Sequence, residues 1–330
     1  MTRIAFIVNP RSDGGRTGDE WPRAEKRVRR ALGGVQVCFT KARRDGTRLA
    51  RAALDAGAQI VVAVGGDGTL GEVVNGFFDA EGRAHPTAVF AFYQRGTGGD
   101  FQRTFGLTRD LDATLAAVSA CAEDPARARS LDVGRIDYTT HEGRVARTHF
   151  LNIASFGIGG AFDVMLNRSG KMLGGRVATR MTAVRALATY AHQRVRLRID
   201  DAPERTLCIH NVAIANGQFY GGGQHIAPDA RVDDGALDVV VLGDLTVSDK
   251  FTFATRIFEG EHTAMRRVEV VRARCVVAEP APDSREGDPR AEGPVLLDVD
   301  GEQPGRLPAT FEVLPGALRV CLPMDCAPRV

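Results

Sequence analysis

The sequence predicts an α/β protein in which a doubly wound N-terminal domain precedes a mostly antiparallel, two-layer β domain. One observation is that strand-like and helix-like segments alternate through the first third of the 330 residues. Another is that this alternation stops near residue 129, after which strand-like runs dominate. Alternating strands and helices are typical of a parallel sheet, whereas successive short strands are typical of antiparallel sheets.

The N-terminal domain is predicted from four strand–helix repeats. The strands are "RIAFIV" (3–8), "VQVCF" (35–39), "QIVVAV" (59–64) and "TAVFAF" (87–92). The helices are 18–32, 46–57, 69–79 and about 110–121. Gly57 is a helix stop signal, because glycine adopts the backbone conformation that ends many helices. This order predicts a doubly wound parallel sheet.

The second domain is predicted from strand-like runs that two helices interrupt. The runs are "ARSLDVGRIDY", "ARTHFLNIA", "QRVRLRID", "RTLCIHNVAIAN", "GALDVVVL", "RRVEVVRAR", "CVVAE", "VLLDVDG" and "TFEVLPGALRVCL". The helical segments are 174–190 and 248–258, and 279–293 is polar and rich in Pro and Gly. We therefore expect two antiparallel sheets, with 279–293 as a long hairpin loop.

Composition excludes several classes of function. The net charge is only +2, from 43 basic and 41 acidic residues, which does not favour a nucleic-acid partner. The six cysteines form no CxxC pair and the histidines no HExxH motif, so we expect reduced thiols in a cytoplasmic protein and no zinc site. The N-terminal apolar run is too short for a signal peptide, and no run approaches the ~18 residues of a membrane span, so membrane contact would be peripheral.

The stretch "IVVAVGGDGTLGEVVNG" (60–76) predicts a phosphate-binding turn between a strand and a helix. Its glycines allow backbone N–H groups to approach phosphate, and a helix beginning near Thr69 adds a positive end. A Rossmann dinucleotide site fits poorly, since no Asp or Glu lies between Gly82 and Gly99 and Asp67 sits inside the turn. A carboxylate beside phosphates is tolerated where it binds a hydroxyl or faces a bridging cation.

Five segments in family order resemble the diacylglycerol kinase catalytic family, which is related to sphingosine kinases and NAD kinases. They are "VNPRSDGG" (8–15), "GGDGTLGEVVNG" (65–76), "RGTGGDFQRTFG" (95–106), "NGQFYGGGQHIAPDARVDDGALDVVVL" (216–242) and "DVDGE" (298–302). The resemblance covers nearly the whole chain and is closest to bacterial lipid kinases. It implies a nucleotide-binding α/β domain, formed by 1–129 and about 309–330, and an acceptor domain of 130–308, with the active site in the cleft between them.

The resemblance also implies a set of nucleotide contacts. Carried over residue by residue, they are Asn9, Pro10, Arg11, Ser12, Asp13, Gly14, Thr40, Gly65, Gly66, Asp67, Gly68, Thr69, Leu70, Gly71 and Thr97. Asp67 is the central carboxylate of this site, and its partner is left open between the ribose, the metal on the phosphates and an ordered water. Asp100 is expected to face the acceptor hydroxyl. Gly99 stands where the family usually has Asn, so one side-chain amide is absent.

Metal and proton-acceptor roles are implied in the same way. The segment "VDDGAL" corresponds to a family site for structural Mg²⁺, with Asp234 supplying a carboxylate and Arg231 and Ala236 supplying backbone carbonyls. Glu302 matches the family's proton acceptor, which a neutral alcohol needs in order to attack phosphorus. A plain Asp-Gly turn at 234–235 and an acidic hairpin tip at 302 are the alternatives without chemistry.

The function implied is that of an ATP- and Mg²⁺-dependent lipid kinase whose acceptor is diacylglycerol or a related lipid alcohol. Helix 174–194 is basic and amphipathic, which suits either a membrane surface or the cover of a sheet. The rival hypotheses are a soluble NAD-kinase-type enzyme and a catalytically silent nucleotide- or lipid-binding regulator. The sequence leaves the lipid and the oligomeric state open, a homodimer included.

Overall fold

The computed structural model describes residues 2–159, 192–281, 293–323 and 326. Most of the predicted helix 174–194 and of the predicted loop 279–293 lies outside these residues. The chain divides into two compact units. Unit 1 comprises Met1–Val133, Val232–Asp234 and Leu314–Val330, and unit 2 comprises Gly134–Arg231 and Gly235–Val313. In the described part of the chain, none of the helices is long and apolar enough to cross a membrane.

Unit 1 is built on a parallel sheet with the order β2-β1-β3-β4. The strands are β1 (Ile4–Val8), β2 (Gln36–Phe39), β3 (Ile60–Gly65) and β4 (Val89–Gln94). The helices are α1 (Arg16–Leu32), α2 (Asp45–Asp55), α3 (Asp67–Asn75), α4 (Asp100–Thr104) and α5 (Leu111–Glu123). The last residues of the chain's final strand, Arg319 and Val320, pair in parallel with β4.

Helices cover both faces of the unit 1 sheet, because its strands are apolar on both sides. On one face, Trp21 and Val28 of α1 and Leu115 of α5 join one buried cluster with strand residues such as Phe6 and Val62. α2 and α3 are tied together by Thr47, whose hydroxyl donates to the Glu72 carbonyl over 2.7 Å. The predicted doubly wound α/β domain is therefore confirmed.

The described strands of unit 2 belong to two sheets. The strands are β5 (Arg129–Thr140), β6 (Val145–Phe150), β7 (Ile153–Gly157), β8 (Gln193–Ile199), β9 (Arg205–Ile209), β10 (Asn211–Ala215), β11 (Leu237–Leu242), β12 (Val268–Ala273), β13 (Cys275–Pro280), β14 (Leu297–Val299) and β15 (Gly305–Val320). One sheet runs β15-β13-β8-β9 with β5 and β6 attached, and the other runs β12-β11-β10-β7-β14. β5 and β15 each pass from one unit into the other.

The core of unit 2 lies between these sheets, as the predicted two-layer β domain requires. Phe156 and Phe311 stack within it at a ring-centroid distance of 5.8 Å. The outer face of the second sheet forms a smaller buried cluster with α6 (Val247–Arg256), which contributes Phe253. The predicted helix 248–258 therefore corresponds to α6, and the mostly antiparallel second domain is confirmed.

Four local details differ from the predictions. The helix after the glycine turn begins at Asp67 rather than near Thr69, and the five-residue helix α4 was not predicted. The run "ARTHFLNIA" divides into β6 and β7, and "RTLCIHNVAIAN" divides at His210 into β9 and β10. The two strands of each divided run belong to different sheets, and neither run contains a Gly or Pro that would mark such a change of sheet.

Candidate active site

The glycine turn joins β3 to α3 at the carboxyl edge of the unit 1 sheet. A Cβ atom on Gly65 would lie 2.5 Å from the Thr69 hydroxyl oxygen, so only glycine permits this approach. A Cβ atom on Gly96 would lie 2.4 Å from the Gly66 Cα atom. The glycines therefore allow the loops that follow β3 and β4 to touch.

The first predicted nucleotide loop is tied to this turn. The Asn9 side-chain amide donates to the Thr69 hydroxyl over 2.9 Å, and the Asn9 Oδ1 atom accepts the Arg11 N–H over 3.0 Å. The Ser12 hydroxyl donates to the Asn9 carbonyl over 2.9 Å. Asp13 and Gly14 adopt left-handed backbone conformations, with φ of 53° and 68°. The structure therefore brings this loop and the glycine turn together within unit 1.

The remaining nucleotide candidates lie nearby in the fold of unit 1. Gly68, Leu70 and Gly71 lie in the first turns of α3, at the positive end of the helix, and the Leu70 N–H donates to the Gly66 carbonyl over 3.1 Å. Thr40 follows β2 and is buried, and its N–H donates to the Val8 carbonyl over 2.9 Å. Thr97 is exposed on the loop after β4. In the loop after β1, the Pro10 carbonyl accepts the Gly18 N–H over 3.1 Å.

Asp67 is half-buried, and its carboxylate accepts hydrogen bonds from the loop after β4. The donors are the Gly99 N–H at 2.8 Å, the Phe101 N–H at 3.2 Å and the Gln94 side-chain amide at 3.3 Å. The sequence left the ribose, the metal on the phosphates or an ordered water open as the partner of Asp67. The backbone and side-chain amides found here are a different kind of partner. In this structure Asp67 fixes the start of α4 to the glycine turn. The sequence did not indicate Gln94, because no motif marks it.

Asp100 is the first residue of α4 and is 7% exposed. Its carboxylate lies 2.6 Å from the Arg103 guanidinium, which also donates to the Gly98 carbonyl over 2.7 Å. The preceding Gly99 adopts φ 74° and ψ 35°, in the left-handed region. Among residues with a side chain, Asn tolerates this region best, which explains how Gly can stand at a position where Asn is usual.

We expect Gly99→Asn to fold with a loss of no more than about 1 kcal/mol, because Asn accepts the left-handed conformation. A Cβ atom there meets its nearest neighbour, the Gln94 Cγ atom, at an ordinary 3.6 Å. Gly99→Val should lose clearly more, since a β-branched residue strains at positive φ. Thermal unfolding of both variants checks this, and equal losses for Asn and Val would contradict the backbone explanation.

In unit 2, Glu302 lies at the tip of the hairpin that follows β14. Asp300 and Gly301 both have positive φ, 49° and 82°, and Val299 and Glu302 exchange backbone hydrogen bonds of 2.8 and 3.0 Å. This is the geometry of a type I′ turn, for which Asp-Gly is a preferred pair. Glu302 is exposed immediately after the turn. Its backbone is therefore fixed by the turn rather than by its own side chain.

Asp300 anchors this tip to the segment before β7. Its carboxylate accepts the N–H groups of Leu151, Asn152 and Ile153 over 2.8, 3.0 and 3.0 Å. Carboxylates that accept several backbone N–H groups form strong, charge-assisted hydrogen bonds. Asp300 is therefore the residue that holds Glu302 in a defined place, a role that the motif "DVDGE" alone did not indicate.

We expect Asp300→Asn to destabilise the protein by about 2 kcal/mol, because an amide cannot accept all three N–H groups and hydrogen bonds to charged groups contribute about 1.5–3 kcal/mol. Asn tolerates the positive φ, so backbone strain does not contribute to the measured change in the free energy of unfolding. Urea-induced unfolding measures the change. The matched control is Asp201→Asn, at an exposed turn position. Equal stability of the two variants would exclude the anchoring role.

The predicted metal ligands lie on the loop 231–236, in which Gly235 has φ 72°. Its central residues belong to unit 1, where the Val232 carbonyl accepts the Asp132 N–H over 2.6 Å and Asp233 pairs with Arg129 at 3.1 Å. Across the described residues, no group of three His, Cys, Asp or Glu side chains is placed to hold a metal. A metal at this loop would need carbonyl and water ligands beside Asp234, and such hard oxygen donors suit Mg²⁺. The predicted donor set, with Arg231 and Ala236, fits that chemistry.

Burial determines the charge of three histidines in unit 2. Burial, together with the nearby Lys250, lowers the pKa of His210 to about 3. Burial likewise lowers the pKa values of His149 and His262 to about 4. Burial also raises the pKa of the Tyr220 hydroxyl, an effect to which Asp298 adds. At neutral pH these rings are uncharged, so none of the three provides a cation for an anionic substrate.

Comparison with known proteins gives the family. The diacylglycerol kinase catalytic domain matches residues 3–136, and the YegS C-terminal NAD kinase beta sandwich-like domain matches residues 152–322. A Pseudomonas aeruginosa protein named "Probable lipid kinase YegS-like" is 31% identical over 312 residues, covering 94% of this chain and 92% of the relative. The chain belongs to the YegS-like lipid kinase family. The predicted family resemblance is confirmed, and membership implies a nucleotide substrate.

Further relatives of the YegS-like family agree. A Xanthomonas euvesicatoria protein of the same name is 31% identical over 284 residues, covering 86% of this chain and 84% of the relative. A solved diacylglycerol kinase from Bacillus anthracis has a TM-score of 0.67 at 19% identity, covering 98% of each chain. Yeast NADH kinase complexed with NADH has a TM-score of 0.54 at 10% identity, covering 97% of this chain and 82% of the other. At these identities the two structures show the fold alone.

Proposed function

We propose that this YegS-like lipid kinase transfers the γ-phosphate of ATP to the hydroxyl of diacylglycerol or a related lipid alcohol, with Glu302 as the proton acceptor. The observation that supports this role best is the exposed carboxylate of Glu302, held on a rigid turn by the three hydrogen bonds of Asp300. An exposed carboxylate on a rigid support can meet a reacting hydroxyl in a defined position. Family membership supplies the reaction class.

The proposed reaction has a simple balance of bonds. The Glu302 carboxylate takes the proton of the lipid hydroxyl, the alcohol oxygen bonds to the γ-phosphorus, and the bond from this phosphorus to the β–γ bridging oxygen breaks. The products are the phosphorylated lipid and ADP. In-line transfer of this kind depends mainly on positioning and charge stabilisation. The N–H groups of the glycine turn and of the first turn of α3 are the donors proposed to hold the phosphates.

Mg²⁺ would be held by Asp234 with the carbonyls of Arg231 and Ala236, and it would support the local fold as a structural ion.

Asp67 and Asp100 are proposed to act on the shape of the loop after β4, because Asp67 fixes Gly99 and Phe101 and Asp100 pairs with Arg103. Membrane contact at the cytoplasmic face is proposed as peripheral.

The test is a transfer assay with γ-labelled ATP. The acceptors are a panel of lipid alcohols in mixed micelles, including diacylglycerol, sphingoid bases, ceramide, phosphatidylglycerol and undecaprenol, with NAD as a soluble acceptor. We expect label in one lipid, dependent on Mg²⁺. Label in NAD alone would contradict the proposal and support a soluble kinase of the NAD-kinase type. Label in no acceptor, with ATP still bound, would favour a regulator.

A further inference from the structure

A cleft opens between α1 and α5 in unit 1, beside the carboxyl ends of β3 and β4. Its volume is about 210 Å³, and its lining includes Trp21, Arg23, Arg27, Tyr93 and Arg95. None of its lining residues belongs to the set proposed to contact the nucleotide. The cleft therefore adjoins the proposed nucleotide loops but shares no residue with them.

The lining carries an excess of positive charge. Three guanidinium groups, from Arg23, Arg27 and Arg95, accompany a single lining carboxylate, that of Glu20. Glu20 pairs with Arg95, and Arg27 pairs with Asp112 outside the cleft. In the described part of the chain, no carboxylate lies within ion-pair distance of the exposed Arg23. Exposed ion pairs contribute little, so a phosphate that binds two guanidinium groups can compete with them.

The apolar part of the lining includes two aromatic rings, beside Ala24, Val64 and Leu111. Trp21 is 3% exposed, and its ring centroid lies 6.0 Å from that of Phe6 in the core. The Arg95 guanidinium lies 5.8 Å from the centroid of the Tyr93 ring. Positive charge beside rigid aromatic surface suits a ligand that combines an anion with an apolar or planar portion.

Hydrogen bonds to neighbouring loops hold the lining in place. Thr17, which lines the cleft, accepts the Ser12 hydroxyl over 2.7 Å. The Arg95 N–H donates to the Gly65 carbonyl over 2.6 Å. These bonds fix the chain at Thr17 and Arg95, and ordered backbone around a site lowers the entropy loss on binding.

We propose that this cleft is a second ligand site, which binds a small phosphate ester through Arg23 and Arg27 and places the rest of the molecule against Tyr93, close to the buried Trp21. Arginine matches phosphate because its planar fork donates two parallel hydrogen bonds. The volume is below the ~300–1,000 Å³ of pockets for drug-sized ligands, so the ligand is small or enters only in part. A soluble metabolite and a phospholipid headgroup carry the same phosphate ester, and both are tested.

The test uses the fluorescence of Trp21, which is the single tryptophan of the chain. The full-length protein is titrated with AMP and with glycerol 3-phosphate. We expect a saturable change in emission. In the Arg23→Gln, Arg27→Gln double variant the affinity should fall by at least about tenfold, because both guanidinium groups lose their charge-assisted hydrogen bonds to the phosphate. The matched control is Arg30→Gln, at an exposed position of α1 outside the cleft, which should bind as the unmodified protein does.

The titration needs no catalysis, so its result is independent of the proposed kinase activity. Absence of a saturable signal with both esters and with vesicles would overturn the proposal. An equal affinity in the double variant would also overturn it, because the ester would then be bound elsewhere, for example at the nucleotide loops. Titration with vesicles that contain or lack phosphatidic acid separates the sources: a signal with vesicles alone identifies a headgroup, and a signal with soluble esters identifies a metabolite.

Discussion

Replacement of Glu302 by Gln is expected to lower kcat by about 10²- to 10⁴-fold, the usual range for loss of a general base. The amide cannot accept the proton of the lipid hydroxyl, but it keeps the size and shape of the side chain. The turn that presents residue 302 should be unchanged, because Asp300 and Gly301 define its backbone. Initial rates with labelled ATP and the acceptor found in the panel measure the effect.

The Glu302→Gln variant should melt at the same temperature as the unmodified protein, since the side chain is exposed. Glu259→Gln is the matched control, because it removes an exposed carboxylate elsewhere in unit 2 and should keep full turnover. A Glu302→Gln enzyme with near-normal kcat would show that another group takes the proton, and the acidic hairpin tip would then be only a turn.

Replacement of Asp67 by Ala is expected to lower kcat/KM for ATP by about 10²-fold or more, because a displacement near 1 Å at an active site has an effect of this size. The change leaves the Gly99 and Phe101 N–H groups without their acceptor, so the loop after β4 loses its connection to the glycine turn. Kinetics over a range of ATP concentrations, together with thermal unfolding, measure both consequences.

The variant Asp67→Asn distinguishes positioning from charge. An Asn side chain keeps one oxygen acceptor for Gly99 or Phe101 but has no charge, so a positioning role predicts activity between that of Ala and that of the unmodified protein. Equal losses of kcat/KM in the Asn and Ala variants would show that the charge of Asp67 matters, and its hydrogen bonds do not. Unchanged ATP affinity and rate in Asp67→Ala would remove Asp67 from the nucleotide site.

Much of unit 1 was predictable, because its strands and helices are punctuated by local signals. The run 59–64 predicts a strand that is found at Ile60–Gly65, and Gly57 ends the preceding helix with φ 83°. The start of α3 was missed because Gly66 is still extended and the next residue, an acidic one, is already helical. α4 has only five residues, too few for a helical period to be visible.

The contacts that define the site were not predictable, because they join residues far apart in sequence. The Asp67 carboxylate binds Gly99 and Phe101, at separations of 32 and 34 positions. Asp300 binds Leu151 at a separation of 149 positions, and that contact lies where the run "ARTHFLNIA" breaks between β6 and β7. Motifs identified which residues matter, whereas partners at such distances have no signature in a single sequence.

The contact between Gly66 and Gly96 has a consequence for how this enzyme can vary. Thirty positions separate the two residues, yet a methyl group on Gly96 would overlap the Gly66 Cα atom, and one on Gly66 would press within 3.3 Å of the Gly96 Cα atom. Alanine at position 96 therefore requires the backbone at Gly66 to move, whereas alanine at position 66 requires a shift of only a few tenths of an ångström. We therefore expect homologues to have glycine at both positions, and designed libraries should keep glycine at both.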